Sequence, residues 1–262
     1  MFLLYHTKSA PTGSRLATYL GIDSGTELDA EQPQDVLIRW GSGATVRRRP
    51  NRAVNLRTAI TAASDKLTAL TLFQEAGVPC PNFSLTAGDL EYPLLRRSRH
   101  GAGGRGIKFL MEGDNTRRGD NDFFVEFIDK SAEYRIHVLN GRCIKVQQKV
   151  YRPDEATLKR RNPIIWNHDN GYIFTELPNV DVPRRMKVAA VGAVTTLDLH
   201  FGAVDIIEDY GGNFYVLEVN TAPGLIPTTL TTYGDALART LGITPAGMAE
   251  VEWPEGTPGL EG

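Results

Sequence analysis

Cysteine is scarce: Cys80 and Cys143 are the only two in 262 residues. They lie far apart and without metal-ligand spacing, so neither a disulfide framework nor a zinc site is indicated, and both read as small buried hydrophobes. Long apolar runs are also missing, and Met1-Phe2-Leu3-Leu4-Tyr5-His6 is too short for a secretory leader. The expectation is a cytosolic protein with no membrane contact. Charge of one sign is lacking too: the net charge is −2, which argues against a general nucleic-acid binder. Arg47-Arg48-Arg49-Pro50-Asn51-Arg52 is one basic cluster, explained by default as a solvated loop. There is no internal repeat. The glycine-rich stretch from Gly101 to Gly106 is neither a P-loop, since no Gly-Lys-Ser/Thr closes it, nor a dinucleotide fingerprint, since no helix follows. What remains, 41% hydrophobic and 23% charged residues, is ordinary for a globular chain with one large core or a few small ones.

The most informative segment runs from Phe214 to Leu225, Phe-Tyr-Val-Leu-Glu-Val-Asn-Thr-Ala-Pro-Gly-Leu. Side chains alternate faces along a strand, so Glu218 and Asn220 are expected on one face, with Val216 and Phe214. A carboxylate there is costly unless it is paired or holds a cation. Asp205 repeats the anomaly within Phe201-Gly202-Ala203-Val204-Asp205-Ile206-Ile207, and Glu208-Asp209-Tyr210-Gly211-Gly212-Asn213 joins the two segments. A two-residue Gly-Gly turn pairing Tyr210 with Asn213 carries Asp205 opposite Glu218. Opposed like charges destabilise a sheet unless something positive lies between them, and hard oxygen ligands on one face suit Mg²⁺.

Elsewhere, residues 2–5 and 36–40 read as buried strands around a helix near 14–20, a small βαβ unit. Asn55 to Ala62 reads as a short helix, and Ser64 is placed to N-cap the next, which Gly77 and Pro79 end. Strands at 93–97 and 106–110 flank the glycine-rich loop. Strands at 133–139 and 142–151 meet at Asn140-Gly141, a strong hairpin signal. A long helix runs from about Pro183 to Leu199, followed by the Asp205/Glu218 hairpin. From Val251 onward no periodicity is visible, and a mobile tail, bounded at 247, is expected.

Taken together and in order, these features resemble the ATP-grasp superfamily, particularly carboxylate–amine ligases of the ribosomal-protein glutamate ligase (RimK-like) branch and D-alanine–D-alanine ligase. The resemblance spans about residues 55–232. It implies an α+β ATP-grasp fold: a short N-terminal domain (1–63), a lid subdomain (64–125), a C-terminal subdomain with an antiparallel sheet and the metal site (126–246), and a tail (247–262). It further implies Asp205, Glu218 and Asn220 as ligands of Mg²⁺, two ions by analogy, with Mn²⁺ able to substitute. ATP would be held by Lys66 in the Asp-Lys pair, by Gly103 and Gly104 in the lid loop, by Glu126 and Phe127 at the adenine hinge, and by Glu133, Lys149, Arg160 and Asn162. Arg97, Lys149 and Arg161 would serve catalysis, Arg161 at the acyl phosphate; cations there neutralise a transferring phosphoryl group. Two departures stand out: Arg97 replaces the family's usual lid lysine, and the N-terminal domain is short. The implied activity is ATP-dependent amide or peptide bond formation between a small-molecule or peptide carboxylate and an amine, releasing ADP and phosphate, with a homodimer allowed. An ATP-binding module without turnover, and a ligase modifying nucleic acid, are the alternatives.

Overall fold

The computed structural model describes residues 1–27, 35–47, 49–101, 103–152, 154, 158, 162–178 and 181–254. Three sheets organise it. The first is parallel, in the order β2-β1-β3-β4, from β1 (Phe2–Tyr5), β2 (Asp23–Gly25), β3 (Val36–Trp40) and β4 (Arg52–Val54). Helix α1 (Ala10–Leu20) connects β1 to β2 and ends at Gly21 with φ +68°, the left-handed conformation a glycine adopts without strain. The βαβ expectation therefore holds, with β2 and β4 added as three-residue strands too short to leave a periodic signal.

Helix α2 (Arg57–Ser64) and α3 (Lys66–Glu75) follow. Asp65, not Ser64, caps α3, accepting from the backbone N–H groups of Leu67 (3.2 Å) and Thr68 (3.4 Å). The second sheet, in the order β5-β8-β6-β7, comprises β5 (Phe83–Ser84), β6 (Leu94–Ser98), β7 (Lys108–Leu110) and β8 (Asp122–Glu126), all antiparallel. The glycine-rich loop joins β6 to β7 at one end of this sheet.

The third sheet is antiparallel and runs β11-β10-β9-β12-β13, from β9 (Lys130–Leu139), β10 (Arg142–Tyr151), β11 (Tyr172–Leu177), β12 (Phe201–Asp209) and β13 (Phe214–Asn220). Asn140 and Gly141 turn β9 into β10 with φ of +47° and +72°, as a primed hairpin turn requires. Helix α4 (Arg184–Thr196) covers one face of the sheet: Met186, Ala190, Ala193 and Val194 pack with Ile136, Val138, Val204, Ile206, Val216 and Val219. The opposite face carries the charged residues described below. Helix α5 (Pro227–Leu241) joins the third sheet to the first through one shared core, in which Trp40 stacks on Phe201 (5.2 Å) and meets Tyr233 edge-on (5.3 Å).

Two further expectations are corrected. The β12–β13 connection is a three-residue loop, Tyr210–Gly212, closed by the Asp209 carboxylate, which accepts from the backbone N–H groups of Gly211 and Asn213, both at 2.8 Å. Glu208 then pairs with Phe214 and Ile206 with Val216, one residue away from the expected register. A bulge at Leu217 restores the pairing of Asp205 with Glu218. Val216 consequently faces the α4 core, and Glu218 faces the other side. The second correction concerns the segment from 247: Met248, Val251 and Trp253 pack on the shared core, and Arg15 lies 4.7 Å over the Trp253 ring. Burial of these spaced apolar side chains holds the described part, to residue 254, against α1.

Candidate active site

Cross-strand neighbours in a sheet share a face. The ladder pairs Glu218 with Asp205, Asp205 with Arg135, Arg135 with Gln147, and Gln147 with Glu176. One row of polar side chains thus crosses all five strands on the face away from α4. Arg135 grips Asp205 through two parallel bonds, Nε to Oδ1 at 2.7 Å and Nη2 to Oδ2 at 2.8 Å. Burial alone would push the Asp205 carboxyl up, but Arg135 overrides it and holds the group below its ordinary value. Asn220 donates its amide to Asp205 Oδ2 at 3.1 Å, leaving its own oxygen turned away from that carboxylate.

Glu218 is reached from the second sheet and from α3. Lys66 Nζ lies 3.1 Å and Arg97 Nη2 3.8 Å from its Oε2. Arg97 is 9% exposed; burial lowers its guanidinium from the ordinary value while Glu218 and Glu133 pull it back. Arg96, its neighbour on β6, points the other way, donating to the Arg117 carbonyl. In the next row of the third sheet, Glu133 is bonded by Lys130 (2.6 Å) and by Lys149. Burial lowers Lys130 and Glu133 opposes the shift. Phe174 supplies a ring face to Arg135 (4.2 Å) and Lys149 (4.9 Å).

Five cations, Lys66, Arg97, Lys130, Arg135 and Lys149, therefore surround three carboxylates, Glu133, Asp205 and Glu218. A half-buried surplus of positive charge is unfavourable in isolation and is relieved by a polyanion. The oxygens of Asp205, Glu218 and Asn220 form a hard donor set, and their residue types fit a divalent cation bound with such an anion. Among the described residues no group of three His, Cys, Asp or Glu is placed to hold a metal.

The glycine-rich loop between β6 and β7 lies close to this cluster. Gly103, Gly104 and Gly106 have φ of +63°, +76° and +81°. Lys66 Nζ donates to the Gly101 carbonyl at 2.6 Å, and Asn167 Nδ2 donates to that of Gly103 at 2.8 Å. A Cβ on Gly104 would stand 2.4 Å from Ile165 Cγ2, so only glycine allows this approach. Asn162 shapes the opposing segment, its Oδ1 accepting from the backbone N–H groups of Ile164 (2.8 Å) and Ile165 (2.9 Å). Arg160 and Arg161 lie outside the described residues.

At the hinge, Glu126 accepts from Asn82 Nδ2 at 2.9 Å, while the Phe127 N–H donates to the Pro93 carbonyl at 3.2 Å. A shallow cavity of about 340 Å³ lies between this hinge and the β12–β13 tip, lined by Glu126, Phe127, Ile128, Asp129, Asp209 and Tyr215 among others. A larger cavity of about 550 Å³ sits between α1 and residues 250–254 and contains none of the clustered charges; charge rather than volume locates the site. Sequence reasoning placed Lys145, Gln147 and Lys149 on one face of their strand without giving the first two a role, and did not single out Lys130 or His137, because such alternation reads equally as a solvated face. The signal for Arg135 was present in Glu133-Tyr134-Arg135, but its partner Asp205 is remote in sequence.

No protein-family model matches the chain. An uncharacterized protein of Sinorhizobium fredii is 25% identical over 187 residues, 62% of this chain and 54% of its own length. A D-alanine–D-alanine ligase of Methylacidiphilum infernorum is 26% identical over 182 residues, 64% and 58% respectively. The chain thus spans a little over half the length of these relatives. Among solved structures, D-alanine–D-alanine ligase from Bacillus anthracis superposes with a TM-score of 0.64 over 91% of both chains at 16% identity. The ATP-grasp ligase PsnB, complexed with a minimal precursor, gives 0.64 over 91% of this chain and 98% of its own at 13% identity. With its lid sheet, its five-stranded antiparallel sheet and its paired-carboxylate hairpin in this order, the chain has the fold of the ATP-grasp superfamily.

Proposed function

We propose that this protein is an ATP-dependent carboxylate–amine ligase that forms an amide or peptide bond and releases ADP and phosphate. The observation that carries the reading is the surplus of five cations over three carboxylates, focused between the lid loop and the β12–β13 hairpin. Such a site neutralises a triphosphate and stabilises the charge that spreads over a transferring phosphoryl group. Lys66, Arg97 and Lys149 contact phosphate oxygens in this reading, Gly103 and Gly104 bring backbone N–H groups to them, and Glu126 and Phe127 border the base. Asp205, Glu218 and Asn220 hold Mg²⁺, two ions by analogy with Mn²⁺ able to replace them. When bound, the metal supplies charge neutralisation. For it to bind, Arg135 and Lys66 have to yield the carboxylate oxygens they now occupy.

The chemistry needs no protein nucleophile. A substrate carboxylate oxygen attacks the γ-phosphorus and ADP departs; the amine nitrogen then attacks the acyl carbon, phosphate departs, and the amine loses a proton. The chain orients the reactants and excludes water. We assign Arg161 to this stage, at the acyl phosphate, and Arg160 and Asn162 to holding ATP. The ribosomal-protein glutamate ligase branch and division of the chain at residues 63, 125 and 246 belong to the same reading and rest on sequence resemblance; a cytosolic location is the expectation from the apolar pattern of the sequence. The test is phosphate release from ATP across a panel of amino acids, peptides and amines in the presence of Mg²⁺. Release that requires both a carboxylate and an amine supports the ligase; nucleotide binding with no release under any pair would remove it.

A further inference from the structure

A buried relay runs from the shared core to the floor of the site. Tyr233 and His137 are each 0% exposed, and Gln147 is 6% exposed. His137 Nε2 lies 2.9 Å from Gln147 Oε1, and its Nδ1 lies 3.1 Å from the Tyr233 hydroxyl. A carbonyl oxygen cannot donate, so Nε2 carries the proton. A neutral imidazole has only one N–H, so Nδ1 accepts from Tyr233. The ring is neutral because burial pushes its pKa down to about 4. The Tyr233 ring, edge-on against both Trp40 and His137, keeps its hydroxyl beside Nδ1.

The relay fixes which end of the Gln147 amide enters the site. Its oxygen is taken by His137, so the nitrogen faces the polar row. The two ladder partners of Gln147 are Arg135 and Glu176, and Lys145, which is bonded to Glu176, and Lys149 stand two residues to either side on the same face of β10. Gln147 lies two strands from Asp205, roughly 10 Å at ordinary strand spacing, on the side of Arg135 away from the metal-ligand hairpin.

We propose that Gln147 is a substrate-binding residue that donates its amide N–H groups to the carboxylate of the molecule being activated, with His137 and Tyr233 as positioning residues. The proposal rests on the ligase reading for the word substrate, while the geometry of an oxyanion donor stands apart from it. A phosphoryl group offers the same oxygen chemistry, but the distance from the metal-ligand hairpin favours the carboxylate.

The test uses the intact protein labelled with ¹⁵N. Long-range imidazole couplings in the wild type should show the proton on Nε2 of His137; a proton on Nδ1 would overturn the assignment, because the Gln147 amide would then present its oxygen. Acetate is the carboxylate probe and inorganic phosphate the rival, each titrated with and without Mg²⁺ and a non-hydrolysable ATP analogue. The Gln147 side-chain resonances should move with acetate, and the acetate dissociation constant should rise at least tenfold in Gln147→Leu. In Tyr233→Phe the bias between tautomers is lost, so His137 should show a mixture and the acetate response of Gln147 should fall by half or more. Movement with phosphate alone, or with neither anion, contradicts the proposal. Loss of nucleotide binding with the acetate response intact would count against the ligase reading only.

Discussion

At the scale of single residues, Arg96 and Arg97 are one position apart yet occupy different environments, and the strand period alone separates them. Arg97 is turned toward Glu218 and Glu133, whereas Arg96 is bonded to the Arg117 carbonyl. Arg97→Ala is expected to lower kcat/KM for ATP by about 10²–10³, the effect of losing one preorganised charged donor; Arg97→Lys should keep much of the activity, and Arg96→Ala should change it only a few-fold. Steady-state kinetics on the three variants check this, and a severe Arg96→Ala beside a silent Arg97→Ala would reverse the assignment. His137 gives a second prediction. Its pKa is lowered by burial from 6.5 to about 4; Gln147 and Asp205 oppose the shift, while Arg135 and Lys145 add to it. Between these values the unfolded chain takes up a proton that the folded chain refuses, so stability is full above pH 6.5 and falls as the pH drops toward 4. The loss attributable to this group is about 3 kcal/mol. Denaturant unfolding across that range should show a slope that His137→Gln flattens; an unchanged slope would count against a neutral buried imidazole.

At the scale of elements, the β12–β13 hairpin shows how far its sequence could be read. The opposition of Asp205 to Glu218 follows from the pattern of charges in apolar strands, but the turn that was to enforce it is one residue longer, and the bulge at Leu217 makes up the difference. Bulges leave no signature in apolar alternation, which is why Val216 was expected on the wrong face. The loop between β6 and β7 was legible as glycine-rich; what holds it was not, since its tethers are remote in sequence. Two side-chain donors, Lys66 and Asn167, hold its carbonyls, and Gly104 seats on Ile165. Gly104→Ala should therefore unseat the loop, raising KM for ATP about tenfold, because φ of +76° and a 2.4 Å approach both exclude a methyl group. Ile165→Ala in the same chain should recover part of the loss. Hydrogen exchange over 101–106 should rise in Asn167→Ala; equal exchange in wild type and variant would show that the tether does not order the loop.

At the scale of the molecule, the first sheet, α5 and the start of β12 share one core, so the short N-terminal unit is not free of the rest. Asn55 fastens this junction. Its backbone has φ +62°, its Oδ1 accepts from the N–H groups of His200 (2.8 Å) and Phe201 (3.1 Å), and its Nδ2 donates to the Phe201 carbonyl (3.1 Å). Sequence alone marked 55 only as the start of a helix, because partners remote along the chain are invisible to local pattern. Trp40→Ala removes an aromatic side chain that stacks on Phe201 and meets Tyr233, and is expected to cost about 3–5 kcal/mol. Thermal unfolding followed by calorimetry should remain one transition at lower temperature; a first sheet that melts separately would contradict the shared core.

The central claim is that the charge cluster between lid and hairpin is a site for ATP bound with a divalent cation. Calorimetric titration of a non-hydrolysable ATP analogue into the intact protein, with Mg²⁺ and with a chelator, tests it most directly when repeated on Glu218→Ala. The account predicts binding that requires Mg²⁺ and weakens at least tenfold in the variant, which loses one of the two carboxylate ligands. Binding of equal strength in wild type and variant at limiting Mg²⁺, or no binding to either, would contradict it.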